Sequence, residues 1–199
     1  MCESERRWAV RLARCVAASL VAWSLAAVCA GTPPPKATPN TLADGLADGL
    51  ADELAKLGPL RIPVDGVAAA DLRDTFGDGR PGHPHEAIDI AAPRGTRVFA
   101  VDDGPLVKLF ASVRGGLTVY QFDPSRRDAY YYAHLDRYAE GLKAGMALRR
   151  GDLVGYVGTT GNSPTSAPHL HFAVFRLTPD KLWWKGDAVN PYPALVGSR

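Results

Sequence analysis

The run SAPHLHFAVF, residues 166–175, decides how this chain reads. From His169 onward, histidines alternate with apolar residues and a β-branched and aromatic run follows, which is strand chemistry. Side chains two apart on a strand share a face, so His169 and His171 project to the same side. The whole chain has five histidines. Two of them on one strand face imply a chemical use for that face.

Working outward, similar short runs recur: LRIPV (60–64), AIDIA (87–91), TRVFAV (96–101), LVKLFAS (106–112), LTVYQF (117–122), AYYYAHL (129–135) and LVGYVG (153–158). Turn clusters such as GDGRPGHP, DPSRRD and TTGNSP separate them. Closely spaced short strands predict a mainly β domain, sandwich or barrel-like, over residues 58–194, with residues 195–199 as a tail. One brief helix-like piece, RYAEGLKAG (137–145), interrupts the series.

The segment before this domain differs in texture. Residues 1–30 hold Arg6, Arg7, Arg11 and Arg14, then an uncharged run from Cys15 to Ala30 with small residues at its end. That order is a secretory signal peptide, and about 16 apolar-leaning residues fall short of the roughly 20 that a membrane span needs. The mature chain is therefore expected to have no transmembrane span. It is expected to be exported to the periplasm or cell envelope. AAVC (26–29) resembles a lipoprotein box, which makes a lipid anchor at Cys29 the second reading. Residues 31–57 read as a Pro-rich linker followed by a short helix whose leucines recur every four residues from Leu42 to Leu54.

Composition excludes some functions. Of 23 basic and 21 acidic residues, residues 1–30 take four and two, so the remainder is balanced. A neutral chain gives no case for a nucleic-acid partner. All three cysteines, Cys2, Cys15 and Cys29, lie in that first segment, so a later metal site must use histidine and carboxylate.

GHPHEAIDIAAP (82–93) supplies such groups. His85 and Asp89 are four apart, an even spacing that allows both to face one side of a strand. His83 is a competing donor, and the spacing to Asp89 favours His85. With the histidines of HLHF, these form a nitrogen-and-oxygen set suited to one Zn2+. Three ligands plus a water would be catalytic, and four protein ligands would be structural. His134, in another strand-like run, adds a histidine beyond what three ligands need, which points to acid/base or oxyanion chemistry beside the metal.

In order and spacing, HEAIDIAAP, YYYAHLD and GDLVGYVGTTGNSPTSAPHLHFAVF resemble the lysostaphin/LytM-type zinc metallopeptidases. The resemblance implies an antiparallel β fold of the duplicated hybrid motif type with a groove across the sheet. It implies that His85, Asp89 and His171 bind zinc and that His134 and His169 act beside the reacting water. It also implies hydrolysis of peptide stems or cross-bridges of bacterial peptidoglycan. The alternative is a non-catalytic wall-binding or amidase-activating domain of the same fold, which would have lost ligands. Members often carry Gly where Ala87 stands, and some place a tyrosine upstream of the first ligand where this chain has none. Residues 155–168 read as a loop at the groove rim. Tyr130 and Tyr132 either line the groove beside His134 or pack in the core. Trp183 and Trp184 read as a packing cap rather than a sugar platform.

Overall fold

The structure, a computed structural model, describes residues 57–80 and 82–197. The signal segment, Cys29, the linker and the short helix expected before residue 57 lie outside the described residues. Among the described residues, no helix is long and apolar enough to cross a membrane.

The described residues form eleven strands: β1 (Gly79–Arg80), β2 (His83–Pro84), β3 (Ile88–Ala91), β4 (Arg97–Phe99), β5 (Gly104–Ser112), β6 (Gly116–Phe122), β7 (Asp128–Tyr138), β8 (Ala147–Leu148), β9 (Leu153–Val157), β10 (His169–Leu177) and β11 (Gly186–Val189). A 3-10 turn at Ala69–Asp71 and helix α1 at Tyr192–Val196 are the helical pieces among them. Every pairing is antiparallel, as expected for the fold class. The main sheet runs β11-β10-β7-β6-β5-β8, with β3 on β10 and β9 bridging β7 to β4. It stays open. β1 and β2 form a separate hairpin.

Alternation along β10 explains how one strand serves core and surface together. Leu170, Phe172 and Val174 are fully buried, while His169, His171 and Phe175 are only partly so. Phe172 packs on Tyr132 of β7, with ring centroids 5.3 Å apart. Ile88 and Ile90 of β3 join the same core. Tyr132 is wholly buried, and its hydroxyl donates to Gln121 Oε1 (2.9 Å) and accepts from the Val101 amide (3.0 Å). The Gln121 amide in turn donates to the Asp102 carbonyl, so the buried Tyr132 and Gln121 side chains find partners.

Two expected elements are different in the structure. LRIPV makes a single bridge, Val64 to Val98, because Pro63 brings no amide to a ladder. RYAEGLKAG is not helical. It ends β7 and then turns twice, with Leu142 donating to Ala139 and Met146 to Lys143. Gly141 and Gly145 take φ values of +73° and +91°, outside the helical range. At the C-terminal end, helix α1 continues past residue 194 and buries Leu195 completely.

Candidate metal centre

The β3–β10 register places Asp89 directly opposite His171. Their ligand atoms, Asp89 Oδ1 and His171 Nδ1, are 3.1 Å apart. His85, just before β3, brings Nε2 to 3.0 Å from the same carboxylate oxygen and 3.1 Å from His171 Nδ1. Three donor atoms from distant sequence thus converge on one point. Tetrahedral zinc with bonds of 2.0–2.1 Å wants its donors about 3.3 Å apart, so this set fits with a shift of a few tenths of an ångström.

Three of the four imidazoles, those of His85, His134 and His169, are aimed by their other nitrogen. His85 Nδ1 donates to the Thr75 carbonyl (2.9 Å), His134 Nδ1 to the Thr160 carbonyl (2.8 Å) and His169 Nδ1 to the Ala167 carbonyl (2.8 Å). A carbonyl only accepts, so the proton sits on Nδ1 and leaves Nε2 as the free lone pair. His169 Nε2 lies 3.7 Å from Asp89 Oδ1. The His134 ring is 5.1 Å from that of His169 and 5.6 Å from that of His171, centroid to centroid.

His134 reaches this position through an irregularity. Its φ is +59°, the ladder of β7 slips against β6 between Tyr132 and Leu135, and it slips against β9 just beyond, between Leu135 and Arg137. A bulge of this kind re-aims one side chain without ending the strand. It also resolves the open question about the tyrosines. Tyr130 and Tyr132 are core residues, and Tyr131 is the one beside the site, its ring 6.0 Å from that of His171. Simple alternation back from His134 misses this.

The bulge is held from outside. The His134 amide donates to the Gly115 carbonyl, and the Thr160 hydroxyl donates to Leu135 O while accepting from the Leu117 amide. Gly116, at φ +63°, lies so close to Thr160 that a Cβ there would overlap its hydroxyl and backbone.

Electrostatics suit metal ligation. Burial acts to raise the Asp89 carboxyl, but the His171 hydrogen bond and the neighbouring imidazoles outweigh it and hold the pKa at about 2. Burial lowers His85 below the ordinary histidine value and takes His134 down to about 4, so both are neutral at pH 7. Asp89 keeps its second oxygen on Arg80, at 2.7 Å, which leaves Oδ1 to the convergent set.

His85, Asp89, His134, His169 and His171 all line one cleft of about 570 Å3. Arg80 and His83 also line it, as do residues within 162–168, whereas the start of the rim loop expected over 155–168 is strand, because residues 155–157 complete β9. His83 is exposed, and its Nδ1 lies against the Pro84 carbonyl. Arg80, Thr75 and Thr160 carry no sequence signal. Two of them act through backbone carbonyls, which every residue has.

Residues 83–191 match peptidase family M23. The chain belongs to that family. Among curated relatives, an L-Ala–D-Glu endopeptidase of Bacillus subtilis (strain 168) is 30% identical over 147 residues, covering 70% of this chain and 44% of that protein. The glycyl-glycine endopeptidase ALE-1 of Staphylococcus capitis is 32% identical over 118 residues, 59% of this chain and 30% of that one. The M23 chain therefore spans less than half the length of these relatives. Among solved structures, the antimicrobial peptidase lysostaphin from Staphylococcus simulans superposes with a TM-score of 0.53 at 26% identity, covering 64% of this chain and 50% of that one.

Proposed function

We propose that this M23 chain is an exported zinc metalloendopeptidase that cuts peptide cross-links of bacterial peptidoglycan. The observation that carries the reading is the convergence of His85 Nε2, Asp89 Oδ1 and His171 Nδ1 at 3.0–3.1 Å, with two further imidazoles over the same cleft. Family membership and relatives named as endopeptidases support it. The basic, apolar and small order of residues 1–30 supports export, because this polymer lies outside the inner membrane.

His85, Asp89 and His171 hold the zinc, and Arg80 fixes the carboxylate so that one oxygen faces it. When bound, zinc supplies a Lewis acid that brings a water's pKa to about 7 and polarises a carbonyl. The remaining work falls to the chain. His134, neutral and desolvated, presents Nε2 as an acceptor for the proton of the attacking water. His169 presents its own Nε2 across the cleft, where it helps orient the reacting groups, and the proton that His134 takes from the water is passed on to the leaving amine. The two carbonyls at Thr160 and Ala167 keep these rings oriented through turnover. The loop 162–168 narrows the cleft around the extended substrate.

The test is digestion of purified cross-linked peptidoglycan by the purified protein, read by mass spectrometry of soluble muropeptides. Fragments with new amino termini should appear, stop with a chelator and return with zinc. The fragment masses name the bond, which differs between the two relatives. No release, or release indifferent to the chelator, would contradict the reading.

A further inference from the structure

The outer face of the sheet carries a line of aromatic rings that hydrolysis itself does not use. It starts at the site, where the Tyr131 ring meets His171 edge-on. Tyr120 lies 4.7 Å from Tyr131, Trp183 lies 4.7 Å from Tyr120, and Trp184 lies 5.1 Å from Trp183, all between centroids. Register explains the line. Tyr120 on β6 pairs with Tyr131 on β7, and Tyr131 pairs with Ala173 on β10, two residues from His171. All therefore share the face of His171. Phe110 of β5 backs Trp183 at 5.6 Å.

The two tryptophans play different parts. Trp183 packs against the small cluster of Phe122, Ala129 and Leu177, as a packing cap should. Trp184 is 60% exposed. Its indole is a large apolar surface left in water at the far end of a line that begins at the metal ligands.

We propose that this track is a platform for the glycan strand of the wall polymer, with a sugar ring stacked on Trp184 and the peptide stem passing over Tyr120 and Tyr131 toward His171. This rests on the peptidoglycan reading above. A sugar suits the platform better than a second peptide. The C–H face of a pyranose is apolar and stacks on an indole, while its hydroxyls point outward to water. Lys108, whose ammonium lies 5.8 Å from the Trp183 ring, supplies a donor at the platform's edge for a hydroxyl or acetamido oxygen. The reach also fits. From β10 across β7 and β6 to β5 is three strand spacings, ~14 Å, which an extended stem of about four residues spans.

The probes are a peptide-free tetramer of β-1,4-linked N-acetylglucosamine and a sugar-free stem peptide, each titrated calorimetrically into the full-length protein. The tetramer should bind saturably, Trp184→Ala should weaken it about tenfold, and Trp184→Phe should restore most of the loss. Unchanged melting of the variants keeps folding out of the result. No saturable binding, equal binding by Trp184→Ala, or a Trp184 dependence for the stem peptide alone would overturn the platform. Turnover is followed separately on a sugar-free cross-linked peptide. Glycan binding without turnover supports the platform and defeats the endopeptidase reading, whereas turnover without glycan binding defeats the platform alone.

Discussion

Asp89 and His171 stand directly opposite each other across β3 and β10, 82 residues apart in sequence and 3.1 Å apart between Oδ1 and Nδ1. A cross-strand pair of this kind is set by backbone register, so these two ligands are built into the sheet, while His85 joins them from the segment just before β3. His134 is the exception. It depends on a bulge, and the bulge depends on neighbours.

His134→Ala and His169→Ala should each lower kcat by about 10²–10⁴-fold while zinc content stays at the wild-type level. Turnover on a defined cross-linked peptide, with metal analysis of the same sample, checks this. Loss of zinc together with turnover would make either residue a ligand instead.

Arg80 holds the outer oxygen of Asp89 at 2.7 Å from a partly exposed position. Arg80→Ala should weaken zinc binding by about 10-fold or more with little effect on melting of the metal-free protein. Competition against a chromogenic chelator reads this directly. Arg80→Lys should recover part of the affinity, since it keeps the charge but not the fork.

Gly116 meets Thr160 with no room for a side chain and sits at φ +63°. Gly116→Ala should push the Thr160 segment away, release the His134 ring and cut kcat by about a hundredfold, with zinc retained. A variant that turns over normally would show that the bulge is held by other contacts.

Stability of the metal-free protein should fall on acidification. Burial depresses His134 from 6.5 to about 4, so between these values the unfolded chain binds a proton that the folded chain does not. The contribution is full above 6.5 and is lost as pH drops toward 4, on the order of 2 kcal/mol. Asp89, held at about 2 against an ordinary 3.8, loses its contribution in a lower window below 3.8. Melting curves from pH 7 to pH 4 should show the decline, and His134→Gln should flatten it.

Much of this architecture is legible in the residues. Alternation in HLHFAVF puts His169 and His171 on one face and Leu170 and Phe172 in the core, and the structure has that arrangement. His85 and Asp89 also reach one side, but not by strand alternation, since His85 stands before β3 and Glu86 between them takes a φ of +58°. What the chain does not announce is register and irregularity. The slip at His134 makes Tyr131, not Tyr130 or Tyr132, the neighbour of the site, because a single positive φ resets the alternation. RYAEGLKAG carries helix formers, yet two glycines at positive φ turn it. Thr75 and Thr160 orient imidazoles through carbonyls, a role that no side-chain pattern can reveal.

The most direct measurement is zinc per chain by plasma mass spectrometry, on the wild-type protein and on Asp89→Asn and His171→Ala. The wild type should carry one zinc, and both variants should carry close to none while remaining folded. A wild-type protein that takes up no zinc, or variants that keep it, would contradict the three-ligand site on which the proposed chemistry stands.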